Sequence, residues 1–322
     1  MRHVTTLLPL LFSAATSAYA QDGYPVKPVR MVVASSPGGG TDATARILGP
    51  RVSELLGKQL VIENRPGAST RIAAEHVTRS APDGYTLLVT ASTHIILSSV
   101  FKQLSFDPLT DFAPITQAIV VPQLLVSHPS IPAKNVKELI AFLKARPGKI
   151  EFAGGMAVAS NPHLAMVLFM NMSGTNMLSV PYKSGNAGLG DVVAGHVPVT
   201  MANPLAALPL VRSGRLRAYG VTTANRAVGA PDIPTIAESG LPGYEAVQWF
   251  GMLAPARTPR EIVLRLHRDI VKVLQEPEIR SRFVADGAEA QWSETPEAFG
   301  RFMQAETAKW ASIVERAKIP KQ

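Results

Sequence analysis

From Val29 onward, short apolar runs alternate with stretches of helical spacing. The run over 29–35 predicts a buried strand; Ala45, Leu48, Val52, Leu55 and Leu56 then recur at helical intervals, and Gly57 supplies a stop. A second strand is predicted over 59–63. After Asn64-Arg65-Pro66-Gly67 come a helix over 72–79, the turn Pro82-Asp83-Gly84 and a strand over 85–90. That order, β-α-β-α-β, is the signature of a parallel sheet covered by helices.

The pattern restarts past Pro129. Val136, Leu139, Ile140 and Leu143 form an amphipathic helix ended by Pro147-Gly148, and strands are predicted near 150–152, 177–181, 197–201 and 216–222 with helices between them. A second α/β unit follows. The apolar stretches 115–121 and 124–126 read as the first connection between the two. The tail from Pro259 is helical, broken at Pro277, and its last helix over 296–317 is expected to pack back on the first unit. The resulting division is a first lobe of 21–124 with 225–322 and a second lobe of 125–224.

Composition narrows the picture. At 322 residues with 46% hydrophobic content, the chain exceeds the usual size of one core, which agrees with two lobes. It contains no cysteine, so a disulfide framework, a thiolate metal site and a cysteine nucleophile are excluded. Residues 1–20 combine Arg2, an apolar run over 7–12 and the ending Ala18-Tyr19-Ala20, the pattern of a secretory signal peptide cut near Ala20. Its apolar core is too short to span a bilayer, and no later stretch offers about twenty apolar residues. The expected product is therefore soluble and exported. Removing Arg2, the one charged residue of the leader, lowers the formal charge from +8 to +7, and the basic residues are scattered. Such a surface is a solvated face with a mild preference for anions, not a nucleic-acid footprint.

The most informative local chemistry is Ser36-Pro37-Gly38-Gly39-Gly40-Thr41-Asp42, between a predicted strand and a helix start. Glycines let the backbone turn tightly and bring amides close to a ligand, and a helix N-terminus favours a negative charge. Thr41 and Asp42 equally suit helix capping. The same stretch matches a dinucleotide fingerprint through Gly38, Gly40 and Ala43, with Glu63 near the end of the next strand. That alternative, an exported dinucleotide-binding enzyme, is weak: Asp42 would sit against a pyrophosphate and no partner for hydride transfer is evident. No nucleophile elbow, Walker loop or His-Glu-x-x-His occurs, and the seven histidines are dispersed, so no metal site or cofactor is expected. His94 and His163 fall where predicted strand ends meet loops, as ligand contacts or as braces of those loops. Trp249 and Phe250 suit a core or a cleft equally.

Taken together, blocks along the whole chain resemble the periplasmic receptors of the tripartite tricarboxylate transporter family, also called the Bug family. They are Tyr24-Pro25-Val26-Lys27-Pro28-Val29-Arg30, the glycine segment, Glu63-Asn64-Arg65-Pro66-Gly67-Ala68, and Ala81-Pro82-Asp83-Gly84-Tyr85-Thr86-Leu87-Leu88. Asp111-Phe112-Ala113-Pro114, Val180-Pro181-Tyr182-Lys183, Pro234-Thr235-Ile236-Ala237-Glu238, Gly240-Leu241-Pro242-Gly243-Tyr244-Glu245 and Trp249-Phe250-Gly251 follow in order. The resemblance implies a type II periplasmic-binding-protein fold: two α/β lobes joined by two crossovers, with a ligand cleft between them. It implies a solute-binding protein, not an enzyme, that takes a small carboxylate as a monomer and passes it to a two-subunit membrane transporter. A receptor with the same cleft that signals to a sensor partner is the alternative.

By position, the resemblance assigns ligand contacts to Ser36, Gly38, Gly39, Gly40, Thr41 and Asp42 in the first loop and to Thr93 and His94 in the next. Ser160, Asn161, His163, Tyr182 and Asn203 are assigned from the second lobe, and Phe250 from the return strand. The chain departs from the family pattern at three places. Ser35 stands where an aromatic is usual, the 154–160 loop is one residue longer with Ala159 in place of glycine, and Ala202 replaces an aspartate before Asn203. The loss of that acceptor points away from amino-acid ligands.

Overall fold

The computed structural model describes residues 23–154, 160–182, 185–316 and 321. The leader over 1–20, most of the 154–160 loop and Lys183 lie outside the described residues.

In chain order the first part runs β1 (Val29–Val33), α1 (Gly40–Leu56), β2 (Leu60–Asn64), α2 (Arg71–Thr78), β3 (Thr86–Ala91), α3 (Thr93–Val100) and β4 (Phe112–Val121). It continues β5 (Leu124–Ser127), α4 (Val136–Lys144), β6 (Glu151–Ala153), α5 (Asn161–Ser173), β7 (Leu178–Val180), α6 (Gly185–Ala194), β8 (Val199–Ala202), α7 (Pro204–Arg212) and β9 (Arg217–Val221). The chain then returns through β10 (Gln248–Pro255), α8 (Arg260–Leu274), α9 (Pro277–Ala285), β11 (Glu289–Ala290) and α10 (Pro296–Arg316).

These strands form two sheets, ordered β11-β4-β10-β3-β1-β2 and β7-β6-β8-β5-β9. The fold is mixed α/β with two lobes, as expected. In the first sheet β2, β1 and β3 are parallel, with Val29 opposite Leu60 and Arg30 opposite Thr86. β1 and β3 are mostly apolar and buried, as strands covered by helices on both faces are, whereas β2 at the edge is partly exposed and ends in Glu63-Asn64. Parallel pairing also brings the three carboxyl ends to one edge, so the loops after β1, β2 and β3 share the side where open α/β sheets receive ligands. β10 enters antiparallel between β3 and β4, which places Phe250 opposite Ala91 beside that edge.

The chain leaves the first sheet at Pro122-Gln123 and comes back after a long segment past Thr222. The first crossing is hydrogen-bonded to the end of β9: Gln123 N donates to Thr222 Oγ1 at 3.0 Å, and Thr222 N donates to Gln123 O at 2.9 Å. Residues 225–247, which the sequence groups with the first lobe, pack on the second. Val221 N donates to Pro234 O and Ile236 N to Val221 O, each at 2.9 Å, while Tyr244 Oη reaches Ala165 O at 2.9 Å. The reason is a second extended pass beside β9, with Thr235 bridging Val221, which no local hydrophobic period announces.

α8 and α10 pack on β4, and α8 also packs on α1, so the helical tail does return to the first sheet. α10 also touches α5, joining the lobes through a shared core. Trp249 belongs to that core: it is fully buried, edge-on to Phe299 at 5.5 Å and to Phe302 at 5.8 Å. Aromatic pairs of this kind contribute about 0.5–1.5 kcal/mol beyond their burial. Among the described residues no helix is long and apolar enough to cross a membrane.

Candidate functional site

The turn from β1 into α1 is built from one carboxylate. Asp42, almost fully buried, accepts from Gly38 N at 2.8 Å, from Arg46 Nε at 2.8 Å and, through its other oxygen, from Asn64 Nδ2 at 2.9 Å. Asn64 also donates to Ser35 O at 3.0 Å, so the end of β2 holds the loop from below. The Arg46 guanidinium, with Gly38 N–H and Asn64 assisting, holds the Asp42 carboxyl down at about 2 against the cost of burial. Gly38 has φ of 80°, a left-handed conformation that glycine adopts without strain. The Asp42 side chain thus braces the loop. Thr41 is also buried, its hydroxyl donating to Ser35 Oγ at 2.7 Å, so the serine that stands in place of an aromatic becomes part of the loop's scaffold.

What the loop leaves unpaired is backbone. Gly39 occupies the N-cap with no side-chain cap bond, and Gly39 O receives the amide of Ala43 at 2.9 Å. The amides of Gly40, Thr41 and Asp42 have no acceptor within the helix. With the helix dipole they make an anion site, where a carboxylate gains roughly 0.3–2 kcal/mol from the dipole and about 1.5–3 kcal/mol per charge-assisted hydrogen bond. Gly40 can be nothing larger. A Cβ there would lie 2.6 Å from Cε2 and Cζ of Phe250.

A pocket of about 260 Å3 opens at this point. It is lined by Gly40, Ala43, Thr44 and Ile47 of α1, Ile119, Val121, Gln248 and Phe250 of the first sheet, Phe283, Asp286 and Ala288 from α9 and the turn after it, and Asn203 from the second lobe. Asn203 caps α7, its Oδ1 accepting Leu205 N at 2.9 Å, which leaves its amide NH2 as a donor. Three sequence-predicted residues, Gly40, Phe250 and Asn203, therefore meet in one cavity. Larger surface hollows beside Phe101, Pro82 and Trp292 contain none of the predicted residues.

The other predicted residues take other places. Ser36 and Gly38 are exposed on the loop, and Thr93 is half-buried at the start of α3. Ser160 precedes α5, its hydroxyl 3.3 Å from Gly154 O. Asn161 is buried and ties α5 to both crossings: Oδ1 accepts Gln123 Nε2 at 3.0 Å and Nδ2 donates to Val247 O at 3.1 Å. Both ends of its amide are therefore committed to the segments that join the two sheets. His163 is buried on the first turn of α5, its ring 5.8 Å from Phe152. Tyr182 donates to Asp191 Oδ2 at 2.8 Å, and burial together with that carboxylate pushes its hydroxyl up to about 12.

His94 takes the bracing place, one of the two roles its sequence position leaves open. It is fully buried, packed 5.9 Å from Phe106 and 4.8 Å from Phe112, and its Nε2 donates to Pro108 O at 3.0 Å. The side chain braces the loop after α3. Burial lowers its pKa from 6.5 to about 4. Below about pH 6.5 the unfolded chain takes up a proton that the native protein refuses, so stability falls as pH drops toward 4, by up to about 1.4 kcal/mol per pH unit. His94→Leu is expected to leave ligand affinity unchanged, to lower stability at pH 8 by about 1–3 kcal/mol and to flatten that acid limb. Urea unfolding at a series of pH values checks this, and a large loss of affinity would return His94 to the binding site.

Sequence reasoning missed Asn64, Gln123, Gln248 and Asp286. Gln123 and Gln248 carried a signal, each being a lone amide inside an apolar stretch; Asp286 carried none. Among the described residues no three His, Asp or Glu side chains converge to hold a metal.

Residues 44–319 match the family model described as tripartite tricarboxylate transporter family receptor. Protein BugT of Bordetella pertussis is 35% identical over 295 residues, 91% of this chain and 90% of that one. Among solved structures, R. palustris Rpa4515 with adipate is 35% identical at a TM-score of 0.76, covering 93% of this chain and 100% of its own. The periplasmic binding protein BugD is 32% identical at a TM-score of 0.72, with the same two coverages.

Proposed function

Because the chain belongs to the tripartite tricarboxylate transporter receptor family, a family of solute-binding receptors, we propose that it is a periplasmic receptor that captures a small carboxylate between its lobes. It then delivers that ligand, as a monomer, to a two-subunit membrane transporter. The leader over 1–20 directs export. One observation carries the reading: Gly40, the first residue of α1, lines a pocket that also receives Asn203 from the other lobe. The ligand of Rpa4515 is a carboxylate too.

In this reading the first lobe runs to Pro122 and resumes at Gln248, and the crossings at Gln123 and Val247 form the hinge. The lobes close on the ligand, and the transporter recognises the closed form. Binding needs no chemical step. Asn161, bonded to both crossings, couples the start of α5 to that motion.

Native mass spectrometry of freshly purified protein, followed by a thermal-shift screen of mono-, di- and tricarboxylates, tests the proposal. A true ligand at 100 times its Kd adds about 2.7 kcal/mol of stability, a clear rise in Tm. Silence across every carboxylate, with a response to some uncharged solute, would remove the basis of the reading.

A further inference from the structure

The lining of the cavity beside the glycine loop combines the start of a helix with one carboxylate, and this restricts what the ligand carries. Resting on the reading of that cavity as the ligand site, we propose that the bound carboxylate has a hydrogen-bond donor at its far end, foremost an ammonium group, and not a second carboxylate. At Gly40 the start of α1 contributes unpaired N–H groups and the positive end of the helix dipole to the lining. The charged side chain in the lining is Asp286, at the C-cap of α9. No ion pair among the described residues engages it.

Much of the rest of the lining is apolar, from Ala43, Ile47, Val121, Phe250, Phe283 and Ala288, and it suits a run of methylene groups. The neutral amides of Asn203 and Gln248 complete it. A dicarboxylate placed with one end on the glycine loop would bring its other charge toward Asp286, with no arginine or lysine in the lining to offset the repulsion. An ω-amino carboxylate of the same length meets attraction at both ends. Asp286 also supplies, from the first lobe, the kind of acceptor that is absent where Ala202 ends β8 in the second. The donor it serves is distal to the carboxylate rather than on the α-carbon.

The test compares length-matched pairs by calorimetry on wild type and Asp286→Asn: 4-aminobutanoate with succinate, 5-aminopentanoate with glutarate, and 6-aminohexanoate with adipate. Butanoate, pentanoate and hexanoate serve as references. The best amino carboxylate is expected to bind wild type at least about tenfold tighter than its dicarboxylate partner, and Asp286→Asn is expected to remove that preference. Asp286 is exposed and its side chain supports no other residue, so the variant keeps the fold. Tighter binding of the dicarboxylate by wild type, or a ratio untouched by Asp286→Asn, overturns the proposal while leaving the receptor reading in place. Failure of all nine carboxylates to bind overturns both.

Discussion

Gly40→Val is expected to weaken carboxylate binding by more than about 100-fold. The new Cβ would overlap Phe250, a buried side chain fixed in the middle of the first sheet between β3 and β4, so the start of α1 must shift. Losing two charge-assisted hydrogen bonds at roughly 1.5–3 kcal/mol each accounts for that factor or more. Overpacking itself lowers stability by about 1–3 kcal/mol, which a two-lobed protein of this size survives. Circular dichroism of the variant is expected to match wild type, and calorimetry with any confirmed ligand reads the affinity. A near-normal Kd would mean that the amides at this helix start do not hold the ligand.

Asp42→Ala is expected to produce the largest loss of stability, about 2–4 kcal/mol by urea unfolding. The substitution removes the acceptor shared by Gly38 N–H, Arg46 Nε and Asn64 Nδ2, and three bonds to a charged group at about 1–1.5 kcal/mol each, discounted for the exposed Gly38 and Arg46, give that range. Removing a negative charge next to an anion site would by itself help the ligand, but Arg46 already offsets that charge at 2.8 Å. Loss of loop order therefore dominates, and affinity falls as well. The native carboxyl sits at about 2, below its ordinary 3.8, so the Asp42 contribution is fully present above about pH 4 and is lost as pH falls toward 2. The variant is expected to lack that acid limb. An unchanged urea midpoint at pH 7 would show that the loop does not depend on this carboxylate.

The legible parts of the fold were those whose signal is local. β1, β2 and β3 fall within one or two residues of their predicted bounds, because each is a short apolar run between a turn and a helix stop such as Gly57. β11 has two residues, too few for a period to register, and the return of β10 between β3 and β4 depends on pairing over about 130 residues of sequence. The bracing roles at the site were hidden for a related reason. His94 stands at a strand-to-helix junction that suits a ligand contact, and its sequence neighbours do not reveal that its ring turns toward Phe106 and Pro108. Asp42 was open between capping and binding; the deciding partner, Asn64, lies on another strand. Asp286 drew no notice because a lone acid after a helix is an ordinary surface residue, and its place in the pocket comes from the packing of α9 against α1.

A crystal structure of the protein with its identified ligand tests the account most directly. The expected result is a carboxylate group within about 2.7–3.1 Å of the backbone nitrogens of Gly40 and Thr41, with the rest of the ligand running between α1 and Phe250 toward Asp286. A ligand seated elsewhere, with those nitrogens facing only water, would contradict it.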